Sequence, residues 1–221
     1  MNSQAKEVFE RGAMELGITL TSAELGRFYT FAAELKKWSR KINLTTITAD
    51  VDIAVKHFLD SLTLLKVVKG RGKLMDIGAG AGFPAIPVKI VLHDLKVVSV
   101  DAVEKKVIFQ RHAGRLLGLH DFEVAHARAE ELAGHHARSC DWVVSRAFSD
   151  IPTFARISFP LIGRTGKIIA MKGRGGREEA TRVSSSLAEI GLCIAEIFEF
   201  ALPISGDART IIVMERHANR R

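Results

Sequence analysis

In the first third of the chain, apolar residues recur at helical spacing. Leu25, Phe28, Ala32, Leu35 and Trp38 fall three or four residues apart, which places them on one stripe of a helix facing a core. Thr21 stands before that stripe with Glu24 three residues later. That pair is a capping box, so the helix is predicted to begin there. Lys36, Lys37, Arg40 and Lys41 crowd its end. Cations are favourable at that end of the helix dipole, and the same cluster is a candidate phosphate-contacting patch; both readings stay open. A second helical run covers residues 52–68, and residues 1–72 read as helical throughout.

From Lys73 the texture changes. Residues 74–77, 96–100, 122–125, 142–145 and 168–171 form short apolar runs, with helical stretches at 84–92, 103–117 and 151–161 between them. Gly118 suits the position just past the second of these helices. Strand and helix alternate, which predicts a parallel sheet covered on both faces. Residues 194–201 and 210–215 follow, joined by a loop containing Pro203, Gly206 and Asp207 and no helix. Such a loop permits only an antiparallel pair. The expectation is an α/β fold: a mostly parallel seven-stranded sheet with one antiparallel strand, residues 73–221, behind an N-terminal helical extension, residues 1–72, with residues 69–73 as linker.

Composition narrows the class. Of 221 residues, 47% are apolar and 26% charged, enough for a full core without disulfides or structural metal. Lys and Arg number 32 against 25 Asp and Glu, a net charge of +7. That excess favours an anionic partner without choosing between polynucleotide and membrane surface. Cys140 and Cys193 show no C-x-x-C spacing, which excludes a disulfide scaffold and a zinc site on cysteine pairs. His135 and His136 are adjacent and no H-x-x-x-H spacing occurs, so no metal site is expected. The N-terminus lacks an apolar signal region, and no run approaches the roughly 18 apolar residues that span a bilayer. A cytoplasmic protein without membrane contact is expected.

The chemistry concentrates in DIGAGAGFPAIP, residues 76–87, where the first strand turns into a helix. Gly78, Gly80 and Gly82 let the backbone approach a ligand closely. Phe83 stands where a G-x-G-x-x-G dinucleotide fingerprint needs its last glycine, so the loop departs from the NAD pattern. Asp76 precedes the loop; its carboxylate repels a pyrophosphate and suits an ammonium or sulfonium group. Asp101, nineteen residues beyond Gly82 at the end of the second strand, is placed to accept hydrogen bonds from ribose hydroxyls. Both carboxylates are expected to be ionised near neutral pH if their surroundings leave them at ordinary values. The implied ligand is a nucleoside with a cationic tail, which describes S-adenosyl-L-methionine.

NLTTI (43–47), HFLDSL (57–62), the glycine-rich loop, RAEE (128–131), SRAF (145–148) and Lys172-Gly173 make the chain resemble the ribosomal RNA small subunit methyltransferase G family, also called glucose-inhibited division protein B. The resemblance implies a Rossmann-like class I methyltransferase that uses S-adenosyl-L-methionine to methylate N7 of guanine-527 in 16S ribosomal RNA. It implies that Gly78 and Phe83 belong to the cofactor loop, that Ala129 and Glu130 flank the adenine, and that Arg146 lies at the cofactor and target-base site. Arg128, Lys172 and Arg209 match basic positions used near the active site or the RNA. Ala85 stands where the family more often has Gly, and residues 217–221 lie outside the pattern. The implied partner is 16S ribosomal RNA within the small subunit or an assembly intermediate, with the chain acting as a monomer.

The residues of SRAF fit that chemistry on their own terms. The segment ends a strand at the edge where open sheets bind ligands. It lacks the Asn or Asp with Pro-Pro that amine methylation uses, and neither cysteine has the preceding proline common in cytosine C5 enzymes. Guanine N7 carries a lone pair and no proton, so alignment and desolvation suffice. Arg146 is placed to orient the guanine O6 edge, to contact the methionine carboxylate, or to form a structural salt bridge. His57 reads as an anchor for the N-terminal helices. Arg164, Lys167, Lys172, Arg174 and Arg177 lie close in sequence around a glycine-rich MKGRGGR turn and favour RNA phosphate.

Overall fold

The computed structural model describes residues 1–146, 148 and 150–217. Ala147 of the SRAF segment and the end of the basic tail, residues 218–221, lie outside the described residues. Seven strands form one sheet: β1 (Gly72–Ile77), β2 (Leu95–Asp101), β3 (Phe122–His126), β4 (Cys140–Ser145), β5 (Ile162–Lys172), β6 (Leu192–Ala201) and β7 (Ala208–Arg216). Their order is β3-β2-β1-β4-β5-β7-β6. β1 to β5 pair in parallel, and β7 runs antiparallel to both β5 and β6. The single antiparallel strand follows from the helix-free connection before it. The order reverses between β1 and β4, so the crevice for a ligand opens at their C-terminal ends.

The helices are α1 (Ser3–Glu15), α2 (Ser22–Ile42), the short α3 (Asp50–Asp52) and α4 (Asp60–Leu62), α5 (Ala85–Val91), α6 (Glu104–Leu116), α7 (Ala133–His136), α8 (Ile151–Ser158) and α9 (Gly176–Ile190). Thr21 caps α2 reciprocally with Glu24, as the capping box requires. The run expected over 52–68 is not a regular helix. A π-helical segment, Ile53–Leu59, separates α3 from α4, and Thr63–Lys66 tightens into a 3-10 turn. π segments widen a helix by one residue per turn and are concentrated at functional sites. Two further expectations change. The helix predicted over 151–161 stops at Ser158, and β5 already begins at Ile162, well before the apolar run at 168–171. The basic glycine-rich stretch leads into α9, whose Ala180 and Leu187 are buried.

The N-terminal helices are built into the body of the protein. Phe9, Phe28, Phe31 and Phe58 share a buried cluster with Phe83, Ile86 and Phe109 from the sheet-flanking segments. Phe31 lies 5.2 Å from Phe83 and 6.1 Å from Phe109, ring centre to ring centre. Trp38 of α2 packs 5.5 Å from the same Phe109.

Candidate functional site

The glycine loop is fixed to its neighbours by backbone and side chain. Gly78 and Ala79 donate their N–H groups to Val100 O at 2.9 and 3.0 Å, extending the pairing of β1 with β2. The Gly80 peptide is clamped from two sides: its N–H donates to Asp101 Oδ2 at 2.8 Å, and its carbonyl accepts from Gln110 Nε2 at 2.8 Å. Gln110 is itself buried and accepts from Ser99 Oγ at 2.5 Å. Gly80 has φ +63°, and a Cβ there would meet no atom within 4 Å, so the loop opens onto free space. Gly82 has φ +92°, and a Cβ would collide with the Ile86 side chain; only glycine satisfies both conditions.

Asp76 lies beneath this loop, fully buried. Its Oδ2 accepts from Ala85 N at 3.0 Å, while Oδ1 is buried without a hydrogen-bond partner. Burial raises its pKa from 3.8 to about 7, against the lowering effect of the Ala85 hydrogen bond and the Arg146 charge. The expectation of an ionised Asp76 is therefore corrected, because desolvation disfavours the charged form. A buried orphan oxygen is costly unless a partner arrives. It fits a ligand bringing an ammonium group, and the open space over Gly80 fits close approach of a nucleoside. Asp101 is also buried, and its two oxygens hold Gly80 N and Val103 N, each at 2.8 Å. Its part in setting the loop and the entry to α6 was not legible from sequence. Ala129 and Glu130 occupy a 3-10 turn, Ala129–Glu131, after β3 on the same sheet edge, with Arg128 exposed beside them.

The other half of the site forms at the end of β4. Ser145 Oγ donates to Ile77 O at 2.7 Å, tying β4 to β1 at the point where the strand order reverses. The next residue, Arg146, reaches into the π segment. Its Nη1 donates to Lys56 O at 3.1 Å and to Asp60 Oδ2 at 3.2 Å, and its Nη2 faces His57 Nδ1 at 3.4 Å. Asp60 Oδ1 accepts from Arg209 Nε at 2.6 Å. Lys172 Nζ donates to Phe148 O at 3.2 Å and to Glu179 Oε1 at 3.0 Å. Asp60, Arg146, Lys172, Arg209, Met171 and Phe200 line a pocket of about 210 Å³.

His57 joins the two halves. Its ring stacks on Phe83 at 4.2 Å and 7°. Nδ1 faces the Arg146 donor, so the proton sits on Nε2, which donates to Thr45 Oγ1 at 3.0 Å. Burial, reinforced by the Arg146 charge, lowers the His57 pKa to about 3. Phe83, expected in the cofactor loop, is in the loop by its backbone, but its ring is buried among His57, Phe31 and Phe58. Sequence reasoning missed Asp60 and Gln110. Asp60 is one acid in an apolar run and Gln110 one polar residue among several in α6, and neither position marks the partners that the fold brings to it.

The basic clusters are divided. Lys36 pairs with Asp50 at 2.6 Å and Lys37 with Glu34 at 3.2 Å. A groove of about 800 Å³ is lined by Lys36, Ser39, Arg40, Thr45, Thr46 and Lys106. The second cluster does not form one patch. Arg164 lies near the start of the eleven-residue β5, whereas Lys172 ends it. The register of β5 against β4 shifts between Ile162 and Lys167, and the regular run from Lys167 to Lys172 alone spans roughly 16 Å. Lys167 and Arg177 are paired with Glu196 and Glu199. No helix is long and apolar enough to cross a membrane, and no cluster of three or more potential metal ligands occurs, among the described residues.

The family model for rRNA small subunit methyltransferase G matches residues 24–195. The chain is 64% identical to the ribosomal RNA small subunit methyltransferase G of Geotalea uraniireducens, covering 99% of this chain and 100% of that one. It is 58% identical to that of Geobacter metallireducens over 98% of each. The fold is similar to a putative S-adenosyl-L-methionine-dependent methyltransferase from Methanococcus maripaludis, with TM-score 0.59 at 17% identity over 86% of this chain and 93% of that one. It is also similar to TYW2 from M. jannaschii, solved in complex with AdoMet, with TM-score 0.59 at 13% identity over 71% and 74%.

Proposed function

The chain belongs to the rRNA small subunit methyltransferase G family, and from that premise we propose that it transfers a methyl group from S-adenosyl-L-methionine to N7 of guanine-527 in 16S ribosomal RNA. The observation that carries this reading is a juxtaposition at one sheet edge: an orphaned carboxylate oxygen beneath a glycine loop, beside a pocket lined by two guanidinium groups.

When bound, the cofactor supplies an electrophilic methyl on a sulfonium. Asp76 Oδ1 would accept from its ammonium group, and the Gly78–Gly80–Gly82 backbone allows it close approach. The carboxylate of Asp101 retains acceptor capacity for the ribose hydroxyls, and Ala129 and Glu130 border the adenine side. Arg146 presents its remaining N–H donors to the guanine acceptor edge. Lys172 and Arg209, with Arg128 at the rim, contact RNA phosphate or the target nucleotide. N7 holds no proton, so the residues align and desolvate, and no general base is required. The substrate is the small subunit or an assembly intermediate, and the chain acts as a cytoplasmic monomer. Mapping 7-methylguanosine in ribosomal RNA from cells with and without the protein tests the reading. An unchanged modification pattern refutes it.

A further inference from the structure

Asp60 comes from the helical run near the N-terminus, yet its carboxylate is the hub of the acceptor half of the site. It is 4% exposed, and each oxygen is committed to a different arginine: Oδ2 to Arg146 and Oδ1 to Arg209. Those arginines lie 86 and 149 residues away in sequence, on the end of β4 and the start of β7. Two guanidinium groups sharing one small pocket repel each other unless an anion stands between them. A carboxylate contacted from two sides also fixes the planes of both forks. Asp60 follows directly on the π segment, whose Lys56 carbonyl and His57 ring take up further donors of Arg146.

We infer that Asp60 is a positioning residue for methyl transfer: it holds Arg146 and Arg209 as an oriented pair facing the target nucleotide, without touching the cofactor. The inference rests on the methyltransferase reading above and adds to it that the N-terminal helical run builds the acceptor half of the site. A merely structural ion pair would leave the chemical step intact once the protein is folded and loaded.

The test uses the full chain with Asp60→Asn, Arg146→Ala and the double variant. Asp60→Asn is expected to bind S-adenosyl-L-methionine like the parent and small-subunit RNA within a few-fold. Its single-turnover methylation rate is expected to fall by roughly 10- to 100-fold, the scale of losing a charge-assisted contact. The double variant is expected to be slower than Arg146→Ala only by what is lost with Arg209, and so by less than the product of the two single losses, because both changes remove the oriented Arg146 guanidinium. Asp60→Asn turning over at the parent rate, or losses that multiply in the double variant, would overturn the inference. If Asp60→Asn does not fold, nitrogen-resolved NMR on the unmodified protein still tests the ion-pair geometry on which the inference stands. The Arg209 Nε–H is expected to exchange with solvent far more slowly than in free arginine, and exchange at the free rate would overturn the inference. That measurement needs no substrate, so failure of the parent to methylate ribosomal RNA sinks the methyltransferase reading separately.

Discussion

At the scale of single residues, Asp76 and His57 set opposite expectations. Asp76 has its folded pKa raised to about 7 from 3.8, so between those values the folded chain keeps a proton that the unfolded chain has released. Stability of the free protein therefore falls as pH rises through that window and levels off above it. An ammonium group on the orphaned oxygen favours the ionised form, so cofactor affinity is expected to rise with pH up to about 7 and then hold. Calorimetry at pH 6 in two buffers of different ionisation heat should register proton release on binding; identical heats would remove Asp76 from the ammonium site. Asp76→Asn should abolish the pH dependence and weaken binding by about 10- to 150-fold. His57, lowered to about 3, stays neutral across the physiological range. With cofactor saturating, the single-turnover rate is thus expected to be flat from about pH 7 to 9. A log-linear rise that one carboxylate or histidine substitution removes would mean a general base, and an amine or hydroxyl acceptor. The glycine loop and Asp101 could be located from sequence because spacing alone marks them. Asp60 could not: an acid in an apolar helical run reads as a surface break, and its two partners are brought to it only by the fold.

At the scale of elements, sequence patterning recovers the seven strands, the antiparallel β7 and the capped start of α2, since each is dictated by local spacing or loop length. It misjudges β5 and α9. The first half of β5 carries Arg164, Thr165 and Lys167, which read as loop, yet pairing with β4 starts at Ile162, shifts register across residues 163–166 and resumes at Lys167. Charges close in sequence are consequently spread along one strand, and their effects should separate. Arg174→Glu, at the sheet edge that carries the site, is expected to weaken RNA binding and lower the salt slope by about one unit, the amount attached to one phosphate contact. Arg164→Glu, near the opposite edge, should leave both nearly unchanged. Filter binding across a salt series distinguishes them, and equal losses would mean that the RNA wraps both edges.

For the whole molecule, the decisive feature is the aromatic core that the N-terminal helices share with α5 and α6. Deleting residues 1–49 removes Phe9, Phe28, Phe31 and Leu35, all fully buried. Each large buried side chain contributes roughly 1.5–3 kcal/mol, so the sum is comparable with the entire stability of a domain. The truncated chain is expected to lose its sharp thermal transition and to associate. A cooperative melt like that of the full chain would show that the sheet stands alone. The same shared core has a consequence for synthesis. The helices up to Lys66 leave the ribosome before Phe83, Ile86 and Phe109, which complete their cluster. At the usual pace of translation that interval lasts about 2 to 9 s. During it, the rings of Phe31 and Phe58 lack the Phe83 and Phe109 rings that pack on them, so the nascent chain passes through a stage suited to chaperone capture, and the first third of the protein matures only after its middle has emerged.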